Sequence, residues 1–407
     1  MTRENRMESL TRRDFLKKGS LAGLAGAASF FAGDGCASAQ QLPEGREQML
    51  RIPRRQGRGN QPVNPKFPNI GGFVTLLADL HQHTVFSDGD LRPGARVEEA
   101  KREGLDVICL SDHVEVRPFK ADIANMDLGR AYELALPKAT ASDILLIPGL
   151  EITRSEPYAK HLNALFLKDF NALITEKFED AVRAAAKQEA FIFWNHPAWG
   201  QKEPKATWYP QMDEFLKEGI LHGFEVVNGF EGDARDYQPD VMEWCQKHLA
   251  TMLGNSDAHK ATAYLTDWSA GEHRPMTLIF ARDRSVEGVR EALFAGRTAI
   301  YYYLPGERDL LIGDEKWLLT IFNRCFNYTP KQTGIGPNEV IFENDLPFTL
   351  ELKTLNTTGI KLPEKLQVPH GSSTFSVETL GGPIRIEAEV LNFHIGKDRR
   401  MIIDVSV

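Results

Sequence analysis

At 407 residues, with 26% charged and 42% apolar residues, the chain has a soluble globular composition and exceeds one typical domain. Its net charge of −8 leaves no basic face for a phosphate backbone, which sets nucleic-acid binding aside. Beyond Cys36 the chain has only Cys109, Cys245 and Cys325, which allow one disulfide at most and no framework, and with no CxxC or Cys/His cluster any metal is held by nitrogen and oxygen.

Residues 1–39 read as a leader. Thr11-Arg12-Arg13-Asp14-Phe15-Leu16-Lys17-Lys18 precedes a weakly apolar run, Gly19 to Ala32, and Ala37-Ser38-Ala39 has the small-x-small form of a signal-peptidase site. Twin arginines, a modest apolar core and small exit residues resemble a twin-arginine (Tat) export signal. The run is too short and too rich in Gly and Ala for a transmembrane helix. Cys36 as a lipid-anchor site is the weaker reading, because Gly33-Asp34-Gly35 lacks the usual large aliphatic residue. The expected location is periplasmic or extracellular. Residues 40–72 are rich in Pro, Arg, Gln and Gly and read as an extended linker.

From 73 to 304, strand-like apolar runs alternate with helix-like stretches. The strands expected are Val74–His81, Asp106–Asp112, Ile144–Glu151, Leu162–Leu167, Phe191–Asn195, Phe224–Asn228, Thr251–Asn255 and Thr277–Ala281. Phe178, Ala181, Val182 and Ala185 mark one helical face within Glu176–Glu189, and Val286, Val289 and Leu293 another within Ser285–Ala295. This alternation predicts an α/β fold, either a parallel β/α barrel or a doubly wound sheet. From 305 to 407 the period becomes two. Phe348, Leu350 and Leu352 alternate with polar residues, as do Ile384, Ile386, Ala388 and Val390, which reads as a small all-β C-terminal domain, sandwich-like. Substrate shaping and plain packing are equally open roles for it.

Metal-capable residues gather at strand ends. Period-two geometry places Asp79, His81 and His83 on one side of the first strand. Asp112-His113 ends the second strand and Glu151 the third. His161 opens the fourth, His196 follows the fifth, and Asp257-Ala-His259 ends the seventh. Loops after the carboxyl ends of parallel strands converge on one surface. Six of the chain's eleven histidines would meet three carboxylates there. Each is unremarkable alone; jointly they predict a centre of nitrogen and oxygen ligands suited to Zn, Mn or Fe. His222, His248, His273, His370 and His394 read as hydrogen-bonded surface residues.

The motifs Asp79-Leu-His-Gln-His-Thr-Val-Phe-Ser-Asp-Gly, Gly104-Leu-Asp-Val-Ile-Cys-Leu-Ser-Asp-His, Gly149-Leu-Glu151, Asn195-His-Pro and Ser256-Asp-Ala-His resemble, in kind and order, the PHP (polymerase and histidinol phosphatase) family over about residues 75–300. The resemblance implies a distorted (β/α)7 barrel with two or three divalent metals. By motif, His81, His83, Glu151 and Asp257 would hold the first metal. Glu151 would bridge to a second held by His161 and His196, and Asp88, His113 and His259 would hold a third. Asp79 and Asp112 are candidates to accept from the non-ligating imidazole nitrogens.

Such a centre suits hydrolysis of a small organic phosphate ester by a metal-bridging hydroxide held by His81, His83, Glu151 and Asp257, a diester in preference to a monoester. Rival readings are a monoesterase on nucleotides or phosphorylated metabolites, a metal hydrolase of C–N or carboxylic ester bonds, and a non-catalytic metal-binding module. The partner expected is thus a small phosphorylated molecule. Arg154, Lys160 and Lys260 could meet its anionic oxygens, although solvated surface cations are the commoner fate. Trp194 and Trp199 could line a leaving-group pocket or simply pack.

Overall fold

Strands β1 (Val74–Asp79), β2 (Val107–Cys109) and β3 (Leu145–Ile147) pair in parallel, with α1 (Pro93–Arg102) and α2 (Arg130–Ala141) as their crossovers. β4 (Gly149–Arg154), β5 (Lys160–Leu165), β6 (Phe191–Trp194), β7 (Gly223–Asn228) and β8 (Thr251–Asn255) form a second sheet in that order. α3 (Phe178–Ala186), α4 (Pro210–Lys217) and α5 (Pro239–His248) lie between its strands in sequence. After α6 (Thr262–Leu265) come β9 (Met276–Ala281), α7 (Val286–Phe294) and β10 (Thr298–Leu304). The structure is a computed structural model that describes residues 61–118, 127–154, 160–199, 205–230, 236–305, 308–331, 338–380 and 382–406. The leader, Cys36 and most of the linker lie outside them.

Local chemistry explains these elements. α1, α4 and α5 each open on a proline, whose fixed φ and missing N–H suit a first turn. α3 buries Phe178, Ala181, Val182 and Ala185, the face expected from its period. α7 is capped by Ser285, whose hydroxyl accepts from the Gly288 amide. β6, β7 and β8 are buried at every position, as strands covered on both faces must be.

Two isolated parallel bridges join the sheets, Gln82 with Ala258 just beyond the ends of β1 and β8, and His113 beyond β2 with Glu151 inside β4. The path β1, β2, β4, β5, β6, β7, β8 and back to β1 is thereby closed at the end that carries the ligand candidates. Leu76, Ala78, Leu80, Val107, Cys109, Phe191, Phe193 and Leu253 share one buried cluster.

Several expectations need correction. The single strand expected at Ile144–Glu151 breaks at Pro148 into β3 and β4, which belong to different sheets. β4 and β5 are antiparallel, as are β5 and β6, so the sheet is mixed. β9 runs antiparallel to β1. The end of the supposed linker is packed: Ile70 is buried, Phe67 stands 5.1 Å edge-on to Tyr301, and Asn69 accepts from the Thr75 amide.

The C-terminal region comprises β11 (Arg308–Gly313), α8 (Glu315–Cys325), β12 (Phe326–Lys331), β13 (Asn338–Asn344), β14 (Leu350–Thr358), β15 (Ile360–Lys361), β16 (Lys365–Val368), β17 (Gly371–Thr379), β18 (Arg385–Gly396) and β19 (Arg399–Ser406). β12, β13, β17 and β15 form one sheet. The others continue the first sheet: β10 pairs with β11, β11 with β18, and β18 with both β14 and β19. The α/β part and the C-terminal part, whose strands are interrupted by α8, thus share a ten-stranded sheet. Cys109, Cys245 and Cys325 are all free and buried.

Candidate metal centre

β1 ends at Asp79, and the chain then runs beside the segment after β8. The Asp257 amide donates to the His81 carbonyl at 2.9 Å, and the His83 amide to the Ala258 carbonyl at 3.1 Å. Asp257 and His196 adopt positive φ, 51° and 28°, a conformation that costs a non-glycine residue of the order of 1 kcal/mol or more. Both point their side chains into the same cluster. Gly89 closes the loop that presents Asp88; a Cβ there would stand 2.6 Å from the His83 carbonyl.

The structure brings all nine expected ligand residues together. Glu151 Oε2 lies 3.1 Å from His81 Nε2, 3.2 Å from His83 Nε2 and 3.1 Å from His113 Nδ1. Its other oxygen, Oε1, lies 2.8 Å from His161 Nδ1 and 3.8 Å from His196 Nε2. Asp257 is shared in the same way, with Oδ1 at 3.2 Å from His81 and 3.1 Å from His83, and Oδ2 at 3.7 Å from His196. Asp88 Oδ1 sits 3.5 Å from His113 and 3.3 Å from His259. Four sets of donor atoms are close enough to share an ion: His81, His83 and Glu151; His81, His196 and Asp257; Glu151, His161 and His196; and His83, Asp88, His113 and His259.

Burial alone would raise the pKa of Glu151, but the imidazoles of His113, His81 and His161 hold it well below the ordinary carboxylate range. Asp257 and Asp88 are likewise held low, against burial, by their histidines. His81 is pushed well up because Asp257, Glu225 and Glu151 outweigh its burial. His161 goes the other way, pushed down by burial to about 4. Five buried atoms of the cluster lack a hydrogen bond: His83 Nε2, Asp88 Oδ1, Glu151 Oε1, His161 Nδ1 and Asp257 Oδ1. Buried polar atoms without partners are rare in native proteins and mark an absent ion or water. Converging imidazole and carboxylate donors with vacant lone pairs fit divalent cations.

The supporting carboxylates differ from those expected. The Asp79 carboxylate lies 3.4 Å from the His81 backbone amide, and no imidazole nitrogen of the described residues is among its hydrogen-bond partners. It accepts from the Ser256 amide and hydroxyl and from Arg274, which also binds Glu103 of the segment after α1. Asp112 accepts from the Thr84 amide and hydroxyl and from Ser87, whose hydroxyl lies 3.4 Å from His83 Nδ1. The residue that orients His81 is Glu225 on β7. Its Oε1 is 2.8 Å from His81 Nδ1, and the carboxylate also receives the His196 amide, Asn228 and Asn255. A carboxylate can only accept, so the proton sits on Nδ1 and Nε2 is free for a metal. Sequence reasoning missed Glu225, although an acid inside the apolar run Gly223-Phe-Glu-Val-Val was the signal.

The substrate-contact candidates fare otherwise. Lys160 is buried on the opposite parity to His161, 3.8 Å from Glu179 and over the Phe178 ring. Arg154 is ion-paired to Glu115 and donates to the carbonyls of Thr153 and Thr175. Lys260 is exposed beside His259. Trp194 packs away from the centre against Trp208, Tyr209 and Trp244. Trp199 is at the centre, 4.9 Å from the His161 ring and 5.7 Å from that of His196. The five remaining histidines lie outside it. His273 and His394 are buried rather than superficial, the former bonded to Asp309 and the latter to Tyr237.

Residues 79–263 match the sequence profile of the PHP domain. A crystal structure from Bacteroides vulgatus, described as a two-domain protein containing a predicted PHP-like metal-dependent phosphoesterase, superposes with a TM-score of 0.77. It is 36% identical, over 85% of this chain and 99% of its own. An uncharacterized protein of Methanocaldococcus jannaschii, MJ1295, is 28% identical over 199 residues, 46% of this chain and 84% of that one.

Proposed function

The chain belongs to the PHP family of metal-dependent phosphoesterases, and from that premise we propose that it hydrolyses a small organic phosphate ester, a diester in preference to a monoester. The observation that carries this reading is the division of Glu151, one oxygen facing His81, His83 and His113 and the other facing His161 and His196. A carboxylate so divided could serve two neighbouring cations, one on each flank.

His81, His83, Glu151 and Asp257 would hold one ion, Glu151, His161 and His196 a second, and Asp88, His113 and His259 a third, of the Zn, Mn or Fe class. Bound there, such ions lower the pKa of water toward neutrality and offset charge developing on the phosphoryl oxygens. Glu225 keeps the His81 proton on Nδ1 and so its lone pair directed inward. Asp112, through Ser87, steadies His83. Asp88 and His259 are the more exposed members, which supports approach of an ester from their side. Preference for a diester is supported by the extra β region and the export reading. The leader in residues 1–39 makes a periplasmic or extracellular site of action part of the proposal, checked by cell fractionation.

The test compares metal-loaded protein on bis-p-nitrophenyl phosphate, p-nitrophenyl phosphate and p-nitrophenyl acetate under Mn, Zn and Fe. Fastest turnover of the diester is expected. No phosphoester turnover by protein with its metals bound would sink the reading.

A further inference from the structure

We propose that Trp199 and Phe230 form an aromatic clamp across the mouth of the metal centre, and that the ester it accepts carries a planar aromatic substituent. The inference rests on the phosphoesterase reading for the anionic part of the ligand and extends it to the organic part.

Both rings are partly open to solvent, Trp199 41% and Phe230 42% exposed, while each touches a histidine of the centre. Trp199 packs on His161 and His196, and Phe230 stands 5.3 Å edge-on to His259. Those histidines sit at opposite flanks: His161 and His196 share Glu151 Oε1, whereas His259 pairs with Asp88. The rings therefore face the site from two sides.

Their placement is built into the ligand-bearing segments. The Trp199 amide donates to the carbonyl of His196 at 2.8 Å. The Phe230 amide donates to Asn228 Oδ1 at 3.1 Å, and the amide group of Asn228 in turn donates to Glu225 and Asp257. The same bonds that order the centre thus fix both aromatics. Of the nearby cations, Lys160 and Arg154 are committed to Glu179 and Glu115, while the exposed Lys260 beside His259 could meet the anionic oxygens but not a flat apolar substituent. An exposed aromatic pair gains by stacking on another π-face, so a flat substituent gains affinity where an alkyl of similar charge does not.

The test is calorimetric binding of phenylphosphonate and methylphosphonate to the full-length, metal-loaded protein, with adenosine 5′-monophosphate and ribose 5-phosphate as a second pair. Phenylphosphonate is expected to bind about tenfold more tightly than methylphosphonate. Trp199→Ala and Phe230→Ala should each reduce that ratio below about threefold, whereas Trp199→Phe and Phe230→Tyr should keep it. A preference found only for adenosine monophosphate over ribose phosphate supports the clamp with a nucleobase as its occupant. Ratios below about twofold for both pairs in the wild type, or ratios retained in both alanine variants, overturn it. The phosphonates hold a C–P bond and no ester to cleave, so an intact aryl preference between them without hydrolysis of any phosphoester would refute the catalytic reading and leave the clamp standing.

Discussion

Glu151 is a fully buried carboxylate with five imidazoles around it, and it remains ionised only because they outweigh the cost of its burial. Replacing it by Gln keeps the volume but leaves one acceptor oxygen to serve two flanks. Glu151→Gln should lose ions from both sides, read by elemental analysis, with activity down more than about 100-fold, beyond the 10–100-fold typical of an outer support. Full activity or full metal content in the variant would refute the bridging role. Glu225→Gln is the subtler change, since an amide can present N–H to His81 Nδ1 and disturb its tautomer. Metal affinity should fall by about 10–100-fold in chelator competition, with the fold intact by circular dichroism. At this scale the sequence was informative about ligand types, because strand-end histidines and acids stand out against apolar runs. It was silent about supports such as Glu225 and Arg274, whose partners lie far away in the chain and obey no local period.

Arg96 on α1 ties the two ligand-bearing segments to each other. Its guanidinium donates to the carbonyls of His83, Ala258 and Lys260 and to Glu99. Arg96→Met would leave the buried His83 carbonyl without its side-chain donor, at about 1–3 kcal/mol, and remove the guanidinium from the carbonyls of Ala258, which keeps the His83 amide, and of Lys260. The melting temperature should drop by roughly 10 °C, and the ion among His83, Asp88, His113 and His259 should bind most weakly. Arg96→Lys should recover only part, since an ammonium lacks the planar fork. Uniform weakening of every ion would argue that the tie serves the fold alone. Between β6 and β7, His222 Nδ1 accepts from the Ile192 amide, and burial pushes its pKa down to about 4. The unfolded chain binds this proton at an ordinary value near 6.5, so the neutral form's contribution is complete above that pH. It is lost progressively as pH falls toward 4. His222→Gln, which can still accept but does not titrate, should flatten the melting-temperature curve between pH 6.5 and 4; an unchanged slope would show that other groups set it. Here too a local signal went unread. β4 and β5 are separated by only residues 155–159, too few for the crossover a parallel pair needs.

On the scale of the whole molecule, the division at residue 304 follows a real change of period, and strands on both sides of it share one sheet. Alternation in Phe348–Lys353 and Ile384–Val390 reveals strands with one buried face, and says nothing of which sheet they join. In the fold, β18 lies between β11 and β14, so residues 385–396 extend the sheet that begins at β3 and passes through β1. A buried cluster common to both parts follows from this continuity. Leu77, Leu278 and Tyr301 of the α/β part are buried together with Phe322, Phe342, Leu350, Val390 and Phe393. The described residues from 61 onward accordingly form one compact unit. Ending the chain after Leu304 would expose β10 as a long unpaired edge and strip the apolar cover from that face, both of which favour aggregation. The truncated protein should be insoluble or oligomeric by size-exclusion chromatography, with no cooperative melting, while the longer chain gives a single transition. A soluble, cooperatively melting fragment of residues 57–304 that binds its metals would show instead that the barrel stands alone, and that the shared sheet serves the C-terminal strands rather than the centre.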